Sequence, residues 1–139
     1  MLKQVLFIGA SLLFANFSMS AAAGGGDAEA PLVTGTVSYL ERAALSPTAL
    51  VKVQLVDVSR ADATAVTLGE QIFFTGGKQP PFFFKISYDP EKIKANHTYA
   101  VQARIEEDGR LRFINDQRYA VITFDAPLHV DMILRLVNG

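Results

Sequence analysis

His129 and Asp131 stand two residues apart within the alternating run Val130-x-Met132-x-Leu134. In an extended strand that spacing sends both side chains to one face, where an imidazole nitrogen and a carboxylate oxygen could share a divalent cation. Two ligands do not make a site, and the second histidine, His97, is remote in sequence. The pair therefore reads as two solvated residues opposite an apolar face. Asp57, Asp62 and Asp89 fall at strand ends and turns, where Asp bonds its own neighbouring backbone, and none has the setting of a hydrolase pair. Ser38, Ser46, Ser59 and Ser87 lack the glycine-flanked elbow of an exposed nucleophile. Gly24-Gly25-Gly26 precedes a strand rather than following one, so it is no phosphate loop. Asn96-His97-Thr98 fits a glycosylation sequon but reads here as a plain turn. The sequence predicts no enzyme, no metal and no cofactor.

The aromatic and basic residues offer more. Phe73-Phe74 and Phe82-Phe83-Phe84 flank a loop over residues 75–79. Strand alternation predicts Phe82, Phe84 and Phe74 buried, which leaves Phe73 and Phe83 outside. There they could receive a partner's apolar segment, unless the loop or a helical turn folds over them. Arg104 and Arg112 form a second candidate contact patch. Arg42 is expected to clamp a loop acid, Asp57 or Asp62, that follows the neighbouring strand.

Elements with period-two alternation must hold these residues. Val33-x-Gly35-x-Val37-x-Tyr39, Val51-x-Val53-x-Leu55, Phe82-x-Phe84-x-Ile86-x-Tyr88 and Tyr99-x-Val101-x-Ala103-x-Ile105 each share one face. Val66, Leu68, Ile72 and Phe74 suggest a further strand, with Glu70 breaking the run. Leu111 with Phe113, then Ala120, Ile122 and Phe124, then Val130 through Leu136 complete the set. Gly76-Gly77, Pro80-Pro81, Asp89-Pro90, Asp108-Gly109 and Ala126-Pro127 are turn signals between them. The pattern predicts an all-β, antiparallel β-sandwich of seven or eight strands, with at most one helical turn, at residues 90–95. One hairpin has a readable register. A three-residue loop over residues 107–109, with Gly109 in the left-handed bulge position, sets Ile105 opposite Leu111 and Ala103 opposite Phe113. That register places Arg104 opposite Arg112 on the outer face, with Glu106 and Arg110 beside them.

Met1-Leu2-Lys3-Gln4 followed by a thirteen-residue, mainly apolar run, 5–17, and then Ser18, Ser20 and Ala21-Ala22-Ala23 reads as a signal peptide over residues 1–23. The apolar run is short for a membrane span. Residues 24–31 are a flexible leader, and residues 32–139 are the β-sandwich domain. The whole chain has 13 basic and 14 acidic residues. Without Lys3 the balance is 12 to 14, a net charge near −2, which excludes a nucleic-acid protein with a dominant basic face. There is no cysteine, so the core must hold without disulfides. The same absence removes a lipid-acceptor cysteine, and the expectation is of no covalent membrane anchor.

The sequence resembles the YbaY-like lipoprotein family, which includes the YscW-type pilotins of type III secretion. The resemblance runs from about residue 33 to 124. It is carried by Gly35-x-Val37-x-Tyr39, Glu41-Arg42-x-x-Leu45, the stretch 49–62, Pro81-Phe82 with Phe84-x-Ile86-x-Tyr88-Asp89, and Val101-x-Ala103-Arg104-Ile105 before Gly109. The resemblance implies a β-sandwich of the bacterial envelope and, for pilotin-like members, chaperone-like binding of a secretin subunit and its delivery to the outer membrane. Ala21-Ala22-Ala23-Gly24 stands where the family's lipobox cysteine would be, so lipid-driven escort does not carry over. The expectation is a periplasmic or exported, non-enzymatic chaperone or assembly accessory. Its partner would be another envelope or secreted protein, met through Phe73, Phe83, Arg104 and Arg112. The alternatives are an envelope hydrolase inhibitor, with residues 75–81 as its loop, or a small-ligand-binding module on the same scaffold.

Overall fold

The structure, a computed structural model, describes residues 30–137. The expected signal peptide and nearly all of the expected leader lie outside the described residues. Alternation becomes eight strands: β1 Leu32–Tyr39, β2 Leu50–Asp57, β3 Val66–Phe74, β4 Phe82–Ser87, β5 Tyr99–Glu107, β6 Arg110–Ile114, β7 Tyr119–Val121 and β8 His129–Leu136. In β1, β2, β4, β5 and β8 the apolar parity found in the sequence is the buried parity. Val33, Val53, Leu55, Val101, Ile105, Phe113 and Met132 have no exposed surface. Burying a side chain of that size contributes about 1.5–3 kcal/mol, which is why parity dominates where both neighbours are strands. The helical turn is a single 3-10 turn, Pro90–Lys92, with Asp89 accepting from Glu91 N at 2.9 Å.

The strands follow one path, β3-β2-β5-β6-β8-β1-β4, and β7 pairs with β5. Every pairing is antiparallel save that of β1 with β8. Those two strands are distant in sequence, so no hairpin constrains their direction. The expectation of two separate sheets gives way to a joint at β6–β8, where Phe113 pairs with Leu136 and Ile114 with Arg135. At the other end of the path, β3 and β4 approach each other and the sheet nearly closes. Gln71 Oε1 accepts from Lys85 N at 2.8 Å. A Cβ on Gly69 would lie 2.6 Å from Ile86 Cγ2 and 2.8 Å from Ser87 O.

The β5–β6 hairpin departs from the expected register. Glu107 pairs with Arg110, Glu106 with Leu111 and Ile105 with Phe113. The turn is Asp108-Gly109, with φ of 54° and 77°, the left-handed pair that a two-residue hairpin needs. Arg112 is left as a bulge, which returns Phe113 to the core. Arg104 therefore faces Ile114 and not Arg112. The strand expected through Ile122 and Phe124 also stops early, at Val121. Ile122 has φ 75°, and Thr123 N donates to Val121 O at 2.9 Å, a γ-turn that ends the ladder. Phe124 is exposed in consequence.

Candidate functional site

The gap between β3 and β4 closes at Gly69 and opens toward the loop that joins the two strands. In the open part lies a groove of about 420 Å³ lined by Gln71, Phe73, Phe74, Pro81, Phe82 and Phe83, with Thr75, Gly76, Lys78 and Gln79 at its loop end. Phe74 is 65% exposed and Phe83 75%. Phe73, expected outside, instead packs against the core, its ring meeting Phe82 edge-on at 6.3 Å. Phe74, expected inside, is the exposed member. The cause is a bulge: Leu55 pairs with Gly69 but Val56 with Thr67, which leaves Leu68 over. Beyond it Gly69, Gln71 and Phe73 stand opposite the buried Leu55, Val53 and Val51. At Gly69 the approach of β4 leaves no room for a side chain, and Gln71 reaches across to it, whereas Phe73, where the gap opens, packs on Phe82. Glu70, which interrupts the apolar parity, is the sequence signal that this face was the outer one.

The loop itself is pinned. Thr75 is buried, its N–H donating to Ala49 O at 2.9 Å and its hydroxyl to Ser46 O at 2.6 Å. Gly76 and Gly77 take φ of 63° and 84° and carry the chain away from β2. On β4, the Lys85 N–H faces the gap. Peptide groups alternate sides along a strand, so the Phe83 N–H two residues earlier faces it too. The groove thus offers exposed aromatic surface beside strand edges, and no ladder joins β3 to β4 among the described residues.

The other residues singled out in the sequence are dispersed. Arg112 pairs with Glu107 and its guanidinium lies 6.0 Å from the centre of the Phe113 ring. Arg104 reaches Glu106. Asp57 is held by His97 Nδ1 at 2.7 Å and by the Ser59 N–H and hydroxyl at 2.9 and 2.6 Å. Burial opposes its ionisation, but those bonds outweigh burial and keep its carboxyl below the ordinary range. The expected Arg42 clamp is absent: Asp57 is taken by nearer partners, Asp62 lies exposed in the following loop, and Arg42 is exposed. His129 Nε2 lies 3.0 Å from Asp131 Oδ1, with Thr34 and Thr36 of β1 completing an exposed chain of hydrogen bonds. Among the described residues no group of three or more His, Cys, Asp or Glu is placed to hold a metal.

Glu107 gives the fold a measurable pH dependence. The Ser46 N–H donates to its carboxylate at 2.7 Å, and despite burial, Arg112 adds to that bond to hold the group below its ordinary value of 4.5. A carboxyl with a lower pKa folded than unfolded stabilises fully above the unfolded value, and that contribution fades as pH falls through the folded one. Glu107→Gln is therefore expected to melt at lower temperature than the parent at pH 7. The gap should narrow as pH falls below 4.5 and the parent's Glu107 begins to protonate. A gap unchanged between pH 7 and pH 3 would remove this account.

Comparison with known proteins places this geometry. A solved structure of an alternative pilotin from the type II secretion system of Vibrio cholerae is similar over 80% of this chain and the whole of its own, with 51% identity and a TM-score of 0.77. The uncharacterized lipoprotein YbaY of Escherichia coli (strain K12) is 38% identical over 92 residues, or 66% of this chain. Those residues span about half of that relative, 48% of its length. The family model of the type III secretion system lipoprotein chaperone (YscW) matches residues 28–134, which takes in every strand but the end of β8, and the chain belongs to that family.

Proposed function

We propose that this protein is a non-enzymatic accessory of a bacterial secretion system that holds an apolar segment of a secretin subunit in the groove between β3 and β4. The observation that carries the reading is the pair Phe74 and Phe83, exposed on either side of a groove that the fold leaves unfilled. Isolated exposed aromatics are ordinary, but two flanking one groove at strand edges mark an interaction site. Membership of a family described as secretion chaperones, and likeness to a pilotin, support the class of partner. The non-enzymatic reading is supported by Asp57, His97, Glu107 and Arg112, which are engaged with one another or with backbone. Residues 1–23, read as an export signal, support a periplasmic or exported location. None of the 139 residues is a cysteine, so none can carry the lipid of the lipoprotein relatives. The fold serves as a flattened sandwich, with β4-β1-β8 as one layer and β3-β2-β5-β6 as the other, and the groove lies at their open margin.

Purified secretin subunit, titrated calorimetrically into the protein, tests the reading. Phe83→Asp and Phe74→Asp are each expected to weaken binding about 30-fold, the size of an aromatic hot spot near 2 kcal/mol. Because both side chains are mostly in solvent, the melting temperature should hardly move. Affinities within about threefold of the parent, in well-folded variants, would refute the groove as the contact.

A further inference from the structure

On the outer face of β3, β2, β5 and β6, Ile72, Lys52, Arg104 and Ile114 stand side by side in one row. Lys52 and Arg104 are direct cross-strand partners, and like charges in that position destabilise a sheet. Glu106 Oε2 lies 2.9 Å from Arg104 Nε, close enough for ionic attraction but out of line for a hydrogen bond, so that N–H is buried and unsatisfied. A buried donor without an acceptor costs free energy, more so on a charged group. Lys52 has no ion pair among the described residues. Lys52 and Arg104, with Glu106 and, one row on, Glu70, whose carboxylate accepts from the Gln54 amide at 3.1 Å, surround a pocket of about 200 Å³ that Gln102 and Asn115 also line. That volume is below the ~300 Å³ at which pockets begin to enclose whole small molecules, and it suits the tip of one side chain. Ile72 and Ile114, both partly exposed, bound the row on either side.

We propose that this pocket binds one carboxylate, presented by an acidic side chain with apolar neighbours on the protein partner. The proposal rests on the groove being a partner-binding site, since Phe74 at the rim stands on the same outer face, one residue row from Ile72. A partner lying in the groove and crossing that rim meets the pocket next. The carboxylate accepts from the part-exposed Arg104 guanidinium and from the Lys52 ammonium, charge-assisted bonds of the stronger kind. A carboxylate adds one negative charge beside Glu106 and Glu70, whereas a phosphate dianion adds two.

The isotope-labelled full chain, titrated with acetyl-Val-Glu-Val-amide and with acetyl-Val-Gln-Val-amide, tests this by NMR. The Glu peptide should shift the Arg104 Nε–H resonance and the amide of Ile114 saturably, with a Kd about tenfold below that of the Gln peptide. Lys52→Gln and Arg104→Gln should each abolish the shifts, while Phe83→Asp leaves them intact. Lys52→Gln should also raise the melting temperature by about 2 °C, because the cross-strand repulsion is gone. With the secretin subunit, Lys52→Gln should weaken binding about tenfold. Equal affinity for the two peptides, tighter binding of inorganic phosphate than of the Glu peptide, or loss of the shifts in Phe83→Asp would overturn the pocket. Unchanged secretin affinity in Lys52→Gln would overturn its use by the partner. Failure of the groove reading shows separately, as secretin binding that ignores both Phe variants while the peptide shifts persist.

Discussion

Gly35→Ala is expected to bring the domain to the edge of unfolding. Gly35 sits in the middle of β1, between Phe84 of β4 and Val130 of β8. A Cβ there would stand 1.8 Å from the Val130 carbonyl oxygen and 2.9 Å from two atoms of the Phe84 ring. The ring can turn, but the carbonyl belongs to the backbone of the neighbouring strand and moves only if β1 and β8 part. That pairing joins the first strand to the last, and it buries Val33, Val37, Met132 and Leu134. Overpacking usually costs about 1–3 kcal/mol, and a clash against backbone belongs at or above the top of that range, near 4 kcal/mol. Domains of this kind hold about 5–15 kcal/mol in all, so at the lower end of that range little would remain. The urea midpoint should fall by about 2 M at a slope near 2 kcal/mol per molar. Phe84→Leu should not restore it, since the shorter contact is with the carbonyl. A midpoint close to the parent's would show that the strands can separate freely there, and the close approach would lose its structural importance.

Glycine at position 35 was legible only as one more member of an alternating face. The sequence parity says which side of a strand is sheltered but not how near the next backbone comes. Bulges are invisible for a related reason: each adds one residue, and parity on either side of it still looks regular. In β3 the extra Leu68 inverts the expected roles of Phe73 and Phe74, so the aromatics exposed beside residues 75–79 are Phe74 and Phe83 in place of Phe73 and Phe83. In the β5–β6 hairpin the bulge at Arg112 allows a two-residue turn in place of the three-residue loop expected from matching faces, and it breaks up the expected Arg104/Arg112 pair. The cross-strand neighbour that matters to Arg104, Lys52, lies on β2 and could be reached only through the β2–β5 register. Turn chemistry, by contrast, was readable wherever it is dictated by a single residue, as at Asp89-Pro90 and Gly109. Phe124 failed because a γ-turn at Ile122 has no glycine to announce it.

Phe113→Ala is expected to loosen the joint through which the whole sheet is continuous. Phe113 has no exposed surface, and its ring stacks on Tyr39 at 4.1 Å with only 14° between the planes. Tyr39 in turn donates its hydroxyl to Ala43 O at 2.7 Å, which fixes the stack from the β1 side. On its own strand Phe113 pairs with Leu136, in the ladder that ties β6 to β8, and Val137 N–H donates to Arg112 O at 2.8 Å just beyond. Removing the ring costs about 3–5 kcal/mol from lost burial and the cavity left behind. Phe113→Leu keeps most of the burial and forfeits the stack, so about 1–1.5 kcal/mol should go, and a double-mutant cycle with Tyr39→Leu should return a coupling near 1 kcal/mol. Local opening should follow the same geometry. In Phe113→Ala the Val137 and Ile114 amides should exchange with solvent well before those of β2 and β5, because the β6–β8 ladder is short and the β2–β5 ladder runs the full length of β2. If all amides lose protection together and the total loss stays below about 1.5 kcal/mol, the stack is ordinary core packing and the joint is held by something else.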